Sequence, residues 1–146
     1  MTKMPVFLLA VLLASYLPAT SQDHGAAVDA AEKSAQSWLR VVDSGHYATS
    51  WEQAAAFFRS KVTREQWENA MHSVRAPLGA VQARTLQSAT YTTDLPRAPK
   101  GEYVVLQYQT SFANLKKAVE TVTPMKEADG SWKVSGYFIR PAESGQ

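Results

Sequence analysis

EYVVLQYQTSF, residues 102–112, alternates: Val104, Leu106, Tyr108, Thr110 and Phe112 fall on one side, Tyr103, Val105, Gln107, Gln109 and Ser111 on the other. A period of two among β-branched and aromatic residues predicts a strand. Two further strands follow, KAVETVTPMKE (117–127) and SWKVSGYFIR (131–140), joined through Asp129-Gly130, a dipeptide that predicts a type I′ hairpin. Upstream, Ala80–Thr93 lacks a helical stripe and precedes the Pro-Arg-Ala-Pro-Lys-Gly loop at 96–101, so it reads as the first of four strands.

Register follows from the expected turns. With Ala128 opposite Ser131, Met125 faces Val134, Thr123 faces Gly136 and Thr121 faces Phe138. A four-residue loop, Ala113–Lys116, likewise sets Tyr108 opposite Thr121. This parity gathers Val119, Thr121, Thr123, Met125, Trp132, Val134 and Phe138 beside the Val104–Phe112 row on one covered side. Phe138→Ala should then cost roughly 3–5 kcal/mol, as for a buried aromatic. Gln109→Ala should cost under about 0.5 kcal/mol. The opposite face would carry Tyr103, Val105, Gln107, Gln109, Glu120, Val122, Tyr137 and Ile139, with Arg84 and Leu86 joining by parity. Such a mixed row is either a half-exposed sheet using cross-strand pairs or an interaction face, most simply of a two-fold homodimer. The interface candidates are Tyr103, Val105, Gln107, Val122, Tyr137 and Ile139.

The cover for the sheet precedes it. Val28, Ala31, Ala35, Trp38, Leu39 and Val42 form one stripe of a helix over 27–42, ended by Asp43-Ser44-Gly45. Tyr47, Trp51, Ala54, Ala55 and Phe58 predict a second helix. Thr63-Arg64-Glu65-Gln66 matches a capping box opening a third helix, which carries Trp67, Ala70, Met71 and Val74 and ends at Ala76 before Pro77. The expected class is α+β: three N-terminal helices packed on a four-stranded antiparallel meander.

The chain of 146 residues holds no cysteine, which removes disulfides, thiolate metal sites and thiol chemistry together. Residues 6–17, VFLLAVLLASYL, are uncharged, follow Lys3, and lead to Ala19 and Ser21, spaced for a signal peptidase. As a helix that run rises about 18 Å, short of a roughly 30 Å hydrocarbon core. The expectation is a cleaved signal peptide over 1–21 and one domain over 22–146. Beyond position 21 stand 14 basic and 13 acidic residues, too balanced for a nucleic-acid partner. Absent disulfides and absent N-x-S/T sites point toward a bacterial periplasm, and no membrane association is expected after cleavage.

Three stretches carry a family resemblance: Trp67 with Arg75-Ala76-Pro77-Leu78-Gly79 and Arg84; Gly101 to Tyr108; and Asp129 to Tyr137, with Glu120-Thr121-Val122 fitting the same pattern. Together they resemble the exported bacterial domain-of-unknown-function family 4019 across roughly the whole mature chain. The resemblance implies an uncharacterised periplasmic module. The order of helices then meander is also similar to cystatin-like and NTF2-like cones, whose curved sheet and helices can enclose a pocket.

Arg75, at a helix C-terminus, complements the helix dipole or forms the positive wall of an anion pocket. Arg84 and Glu120 suit an inter-strand ion pair across a Gln on the intervening strand. Tyr47 and Trp132 are candidate pocket lining, though the four tryptophans sit on apolar stripes and read first as core. Glu68 and His72 stand four apart, but no third ligand completes a metal site. No G-x-S-x-G, phosphate loop, dinucleotide fingerprint or H-E-x-x-H occurs. A buried acid beside a tyrosine would suit an isomerase-type cone, yet Asp43, Asp94 and Asp129 all fall at loop or turn positions. The expected function is therefore a small, soluble, exported, non-catalytic module that binds a partner protein or small ligand without a cofactor, in one form as a homodimer. The alternative is an NTF2-like enzyme with a pocket between helices and sheet.

Overall fold

Residues 23–143 are described by the computed structural model; the expected signal segment lies outside them. Helix α1 (Gly25–Asp43) is followed by α2 (Tyr47–Glu52), α3 (Ala56–Lys61) and α4 (Arg64–Val74), then a 3-10 turn over Ala76–Leu78. Strands β1 (Val81–Thr92), β2 (Tyr103–Phe112), β3 (Leu115–Lys126) and β4 (Trp132–Pro141) form one antiparallel sheet in the order β1-β2-β3-β4. The class is α+β, with four helices where three were expected.

The expected second helix is two. Ala54 and Ala55 are fully buried, and Ala55 turns to extended backbone at φ −60°, ψ 147°. Its N–H donates to the Val134 carbonyl of β4 at 2.8 Å, and the Ala56 N–H to Glu127 Oε1 at 2.9 Å. Two small residues let the backbone reach the sheet, and a bond to β4 replaces a helical one. At α4 the capping box forms as expected, with Gln66 N–H donating to Thr63 Oγ1 (3.2 Å) and Thr63 N–H to Gln66 Oε1 (3.0 Å).

Both later strands depart from the expected register by one residue, and this reverses faces. The β2–β3 loop is only Ala113-Asn114, with Phe112 opposite Leu115 and a register shift before Thr110 meets Ala118. Tyr108 therefore faces Glu120, not Thr121. Asn114 holds the short loop down: its side chain donates to the Pro77 carbonyl and its N–H to the Leu78 carbonyl, both at 2.9 Å. The β3–β4 turn is not a two-residue type I′ loop. Gly130, at φ +86°, follows a tight turn closed by bonds from Gly130 N–H to Glu127 O (2.9 Å) and from Glu127 N–H to Ser131 O (2.7 Å). That is the longer loop with a glycine bulge. It puts Pro124 opposite Val134, and a shift then restores Val122 opposite Tyr137 and Thr121 opposite Phe138. The extra β4 residues at this bulge are Ser135 and Gly136, and Pro124, which cannot donate to a ladder, sits beside it.

The covered face thus takes Val104, Leu106, Tyr108, Thr110 and Phe112 with Ala118, Glu120 and Val122 of β3, and with Val134 and Tyr137 of β4. Phe138, expected in the core, is 73% exposed because its partner Thr121 turns outward with the one-residue shift of β3 against β2, while the bulge keeps Val134 on the covered side. Trp38 and Trp67 pack on Tyr137 with ring centroids 5.2 and 6.4 Å away. Ser50, fully buried, closes their polar ends: Trp67 Nε1–H donates to its Oγ (2.9 Å) and Trp38 Nε1–H to its carbonyl (2.8 Å). Phe58 adds its ring edge-on to Trp67 at 5.1 Å, so aromatic packing occupies this part of the helix–sheet interior.

Candidate functional site

Two regions hold the unusual chemistry: a charged group within the covered face and an apolar recess on the outer face. The first draws one side chain from almost every layer. Asp43 ends α1, Arg75 caps α4, and β1 to β4 contribute Arg84, Thr110, Glu120 and Tyr137 in turn. Glu120 is 0% exposed. Its carboxylate accepts from Arg84 Nε (2.8 Å) and Thr110 Oγ1 (2.5 Å) on one oxygen, and from Arg84 Nη2 (3.2 Å) and the Tyr137 hydroxyl on the other. Arg84 also forks onto Asp43 through Nη1 (2.7 Å) and Nη2 (3.0 Å), and Arg75 Nη2 reaches the same carboxylate at 3.2 Å.

Two guanidiniums thus face two carboxylates, a neutral sum that makes burial tolerable. Burial works against the Arg84 charge, but hydrogen bonds and Coulomb attraction from Asp43 and Glu120 outweigh it and hold the guanidinium above its ordinary range. Burial, with the Glu120 charge, pushes the Tyr137 hydroxyl well above the usual tyrosine value. Tyr108 rises to about 12, chiefly by burial. The buried acid beside a tyrosine, sought among the aspartates, is therefore Glu120. Its four acceptor positions are all taken, so it offers a substrate no free lone pair and acts as a clasp between helices and sheet.

The expected Arg84–Glu120 pair is present, but across Thr110 of β2, not across a Gln. Arg75 is buried, donates Nη1 to the Gly79 carbonyl at 2.8 Å, and stands 4.6 Å over the Phe112 ring. Its Nε and the Tyr108 hydroxyl are buried without a partner.

Tyr47 and Trp132 lie elsewhere. Tyr47 packs edge-on to His72 at 5.0 Å and lines a recess of about 250 Å³ with His46, Thr49, Glu68 and His72. Among the described residues no three His, Cys, Asp or Glu side chains gather as metal ligands. Trp132, half-buried, lines an open hollow of about 440 Å³ with Asp23, His24, Glu102 and Lys126. Only Arg75, Arg84 and Glu120 of the five proposed ligand residues come together.

The expected interface row is divided. Tyr103, Val105 and Gln107 lie on the outer face, while Val122 and Tyr137 are buried under the helices and Ile139 packs against that same core. The outer face has its own small cluster instead: Ala55, Tyr103 and Met125, with Phe57, Leu95 and Ala98 packed on it. The Tyr103 hydroxyl donates to the Pro99 carbonyl at 2.6 Å and so fixes the β1–β2 loop over the sheet. Between that loop and Phe138 lies a recess of about 250 Å³ lined by Phe57, Leu95, Ala98, Tyr103, Thr123 and Phe138. Gly136 lines it as well, and a Cβ there would meet only Thr123 Cβ, at an ordinary 3.9 Å. Sequence periodicity missed Phe57, Leu95 and Phe138 here. The one signal available was Pro124 within a central strand, which points to a bulge and hence to a change of parity.

Among the described residues no helix is long and apolar enough to cross a membrane. None of the curated proteins compared matches this chain. A family model does match, over residues 34–137, from the middle of α1 through Tyr137 of the clasp, and the chain belongs to that family, described as Protein of unknown function (DUF4019).

Proposed function

We propose that this domain is an exported, non-catalytic binding module whose outer sheet face takes an apolar side chain of a partner protein. The observation that carries it is Phe138, 73% exposed beside a preformed recess whose walls are held in place by Tyr103 and the loop above it. An exposed aromatic next to an apolar hollow is the arrangement of an interface anchor. At about 250 Å³ the hollow falls below the roughly 300–1,000 Å³ of sites that enclose a drug-sized ligand. It suits one inserted side chain. The charged clasp supports the same reading, because its buried carboxylate, Glu120, has all its acceptor positions filled by internal donors.

Export rests on the Lys3, Val6–Leu17 and Ala19-Thr20-Ser21 pattern, with cleavage before Gln22 and a bacterial periplasm as destination. Mass spectrometry of the chain recovered from the periplasm of an expressing bacterium tests this: the mature protein should begin at Gln22, and an intact N-terminus in the cytoplasm contradicts it. For the binding role, a displayed peptide library is selected on the immobilised protein and counter-selected on Phe138→Asp. Peptides dependent on Phe138 should share an aromatic or aliphatic anchor. A library yielding only binders indifferent to Phe138 overturns the reading.

A further inference from the structure

The two edges of the sheet are treated differently. On β4 the Trp132 carbonyl accepts from Ser34 Oγ (2.6 Å) and the Val134 carbonyl from the Ala55 N–H (2.8 Å), so α1 and the α2–α3 connection close that edge. Arg140 and Pro141 end the same strand with a charge and a residue that cannot donate. Among the described residues nothing does this on β1. Val81–Thr92 is 12 residues long, pairs only with β2, and among the described residues its backbone bonds to no other element. An edge strand leaves a row of N–H and C=O groups free to pair with another strand, and proteins usually blunt it with Lys, Glu or Pro. Residues 85–93 read TLQSATYTT, without a charge, glycine or proline. The one charged side chain of the strand, Arg84, is turned inward and neutralised by Glu120 and Asp43.

We propose that β1 pairs antiparallel with β1 of a second copy of this chain, joining two four-stranded sheets into one of eight strands. The occupant is argued from self-complementarity. Beyond the register shift at Leu86–Ser88, the stretch Ser88–Thr92 runs in unbroken register with Gln107–Tyr103. Ser88, Thr90 and Thr92 share the outer face with Gln107, Val105 and Tyr103, while Ala89 and Tyr91 point to the covered side with Leu106 and Val104. A two-fold axis at Thr90 sets Thr90 against its own copy and Ser88 against Thr92, a row of hydroxyl residues that pair well across strands. On the other side Ala89 meets Tyr91, small against large. No like charges meet along this stretch, and such an isologous contact closes at two chains. The pairing uses the edge, so it is independent of the recess at Phe138.

The absence of cysteine supplies a clean test on the full chain. Directly opposed residues of an antiparallel pair stand about 4.5–5.5 Å apart at Cα, within the range a disulfide spans. Single-cysteine variants Ser88→Cys, Thr90→Cys, Thr92→Cys and, as an exposed control, Gln36→Cys are oxidised at equal concentration. Thr90→Cys should form the covalent dimer at least about tenfold faster than the other three, because pairing raises its effective concentration. Sedimentation of the cysteine-free protein up to about 1 mM should show a monomer–dimer equilibrium. Thr90→Glu should abolish it and Phe138→Asp should leave it intact. Equal oxidation rates at all four positions overturn the proposal. So does a protein monomeric throughout, or a dimer lost in Phe138→Asp and kept in Thr90→Glu, which would place the contact on the outer face. Retained dimer with fastest oxidation at Ser88 or Thr92 overturns the register.

Discussion

Glu120→Gln probes the clasp at its most committed atom. The carboxylate is fully buried and receives four donors from three other strands. An amide of the same shape keeps one acceptor oxygen and turns an NH₂ toward two of those donors. The Arg84 guanidinium loses one of its two carboxylates and keeps Asp43, while Thr110 or Tyr137 is left without an acceptor. Removing one partner of a buried ion pair costs about 3–5 kcal/mol. With Asp43 still neutralising Arg84, the expected loss lies near the low end, about 3 kcal/mol, equivalent to roughly 10 °C in Tm for a domain of this size. Urea unfolding followed by tryptophan fluorescence and circular dichroism measures it, provided the m-value is unchanged. A loss below about 0.5 kcal/mol, the size of an ordinary surface change, refutes the reasoning. Replacing both members of the pair, Arg84→Met with Glu120→Leu, should cost less than the two single changes summed.

Three further outcomes follow from the same packing. Ser50→Ala strands the Trp67 indole N–H in the core and should lower stability by about 1–3 kcal/mol in the same urea assay. Phe138→Ala should change stability by less than about 0.5 kcal/mol, because the ring is in solvent. Burial holds the Tyr108 and Tyr137 hydroxyls above the tyrosine value of 10.0 in the folded chain. A raised folded pKa contributes stability that is complete below about pH 10 and is lost as pH rises through the folded values. Unfolding measured from pH 8 to 12 should therefore show a steep decline above pH 10, with phenolate absorbance appearing together with loss of structure; phenolate forming fully within a folded chain contradicts this.

Elements were legible in the sequence where the signal is local. The stripe from Val28 to Val42, the capping box at Thr63–Gln66 and the alternation of residues 102–112 each contain their own physical cause. Pairing was not, because parity depends on one residue. A two-residue loop held by Asn114 and a bulge at Ser135–Gly136 moved Glu120, Val122 and Tyr137 inward and Phe138 outward. Nothing in the periodicity of β4 alone records that bulge, since Trp132, Val134, Phe138 and Tyr137, Ile139 make equally plausible rows. The Arg84–Glu120 pairing survived the error, for both residues lie on the same side whichever face the helices take. The recess beside Phe138 needed the β1–β2 loop to fold over the sheet, which a Tyr103–Pro99 bond fixes and composition does not announce.

The measurement that bears most directly on the account is the affinity of a selected peptide for wild type, Glu120→Gln and Phe138→Asp under conditions where all three are folded. The outer face predicts binding retained in Glu120→Gln and lost in Phe138→Asp. Binding lost with the clasp and kept without Phe138 would place the working site beneath the helices instead.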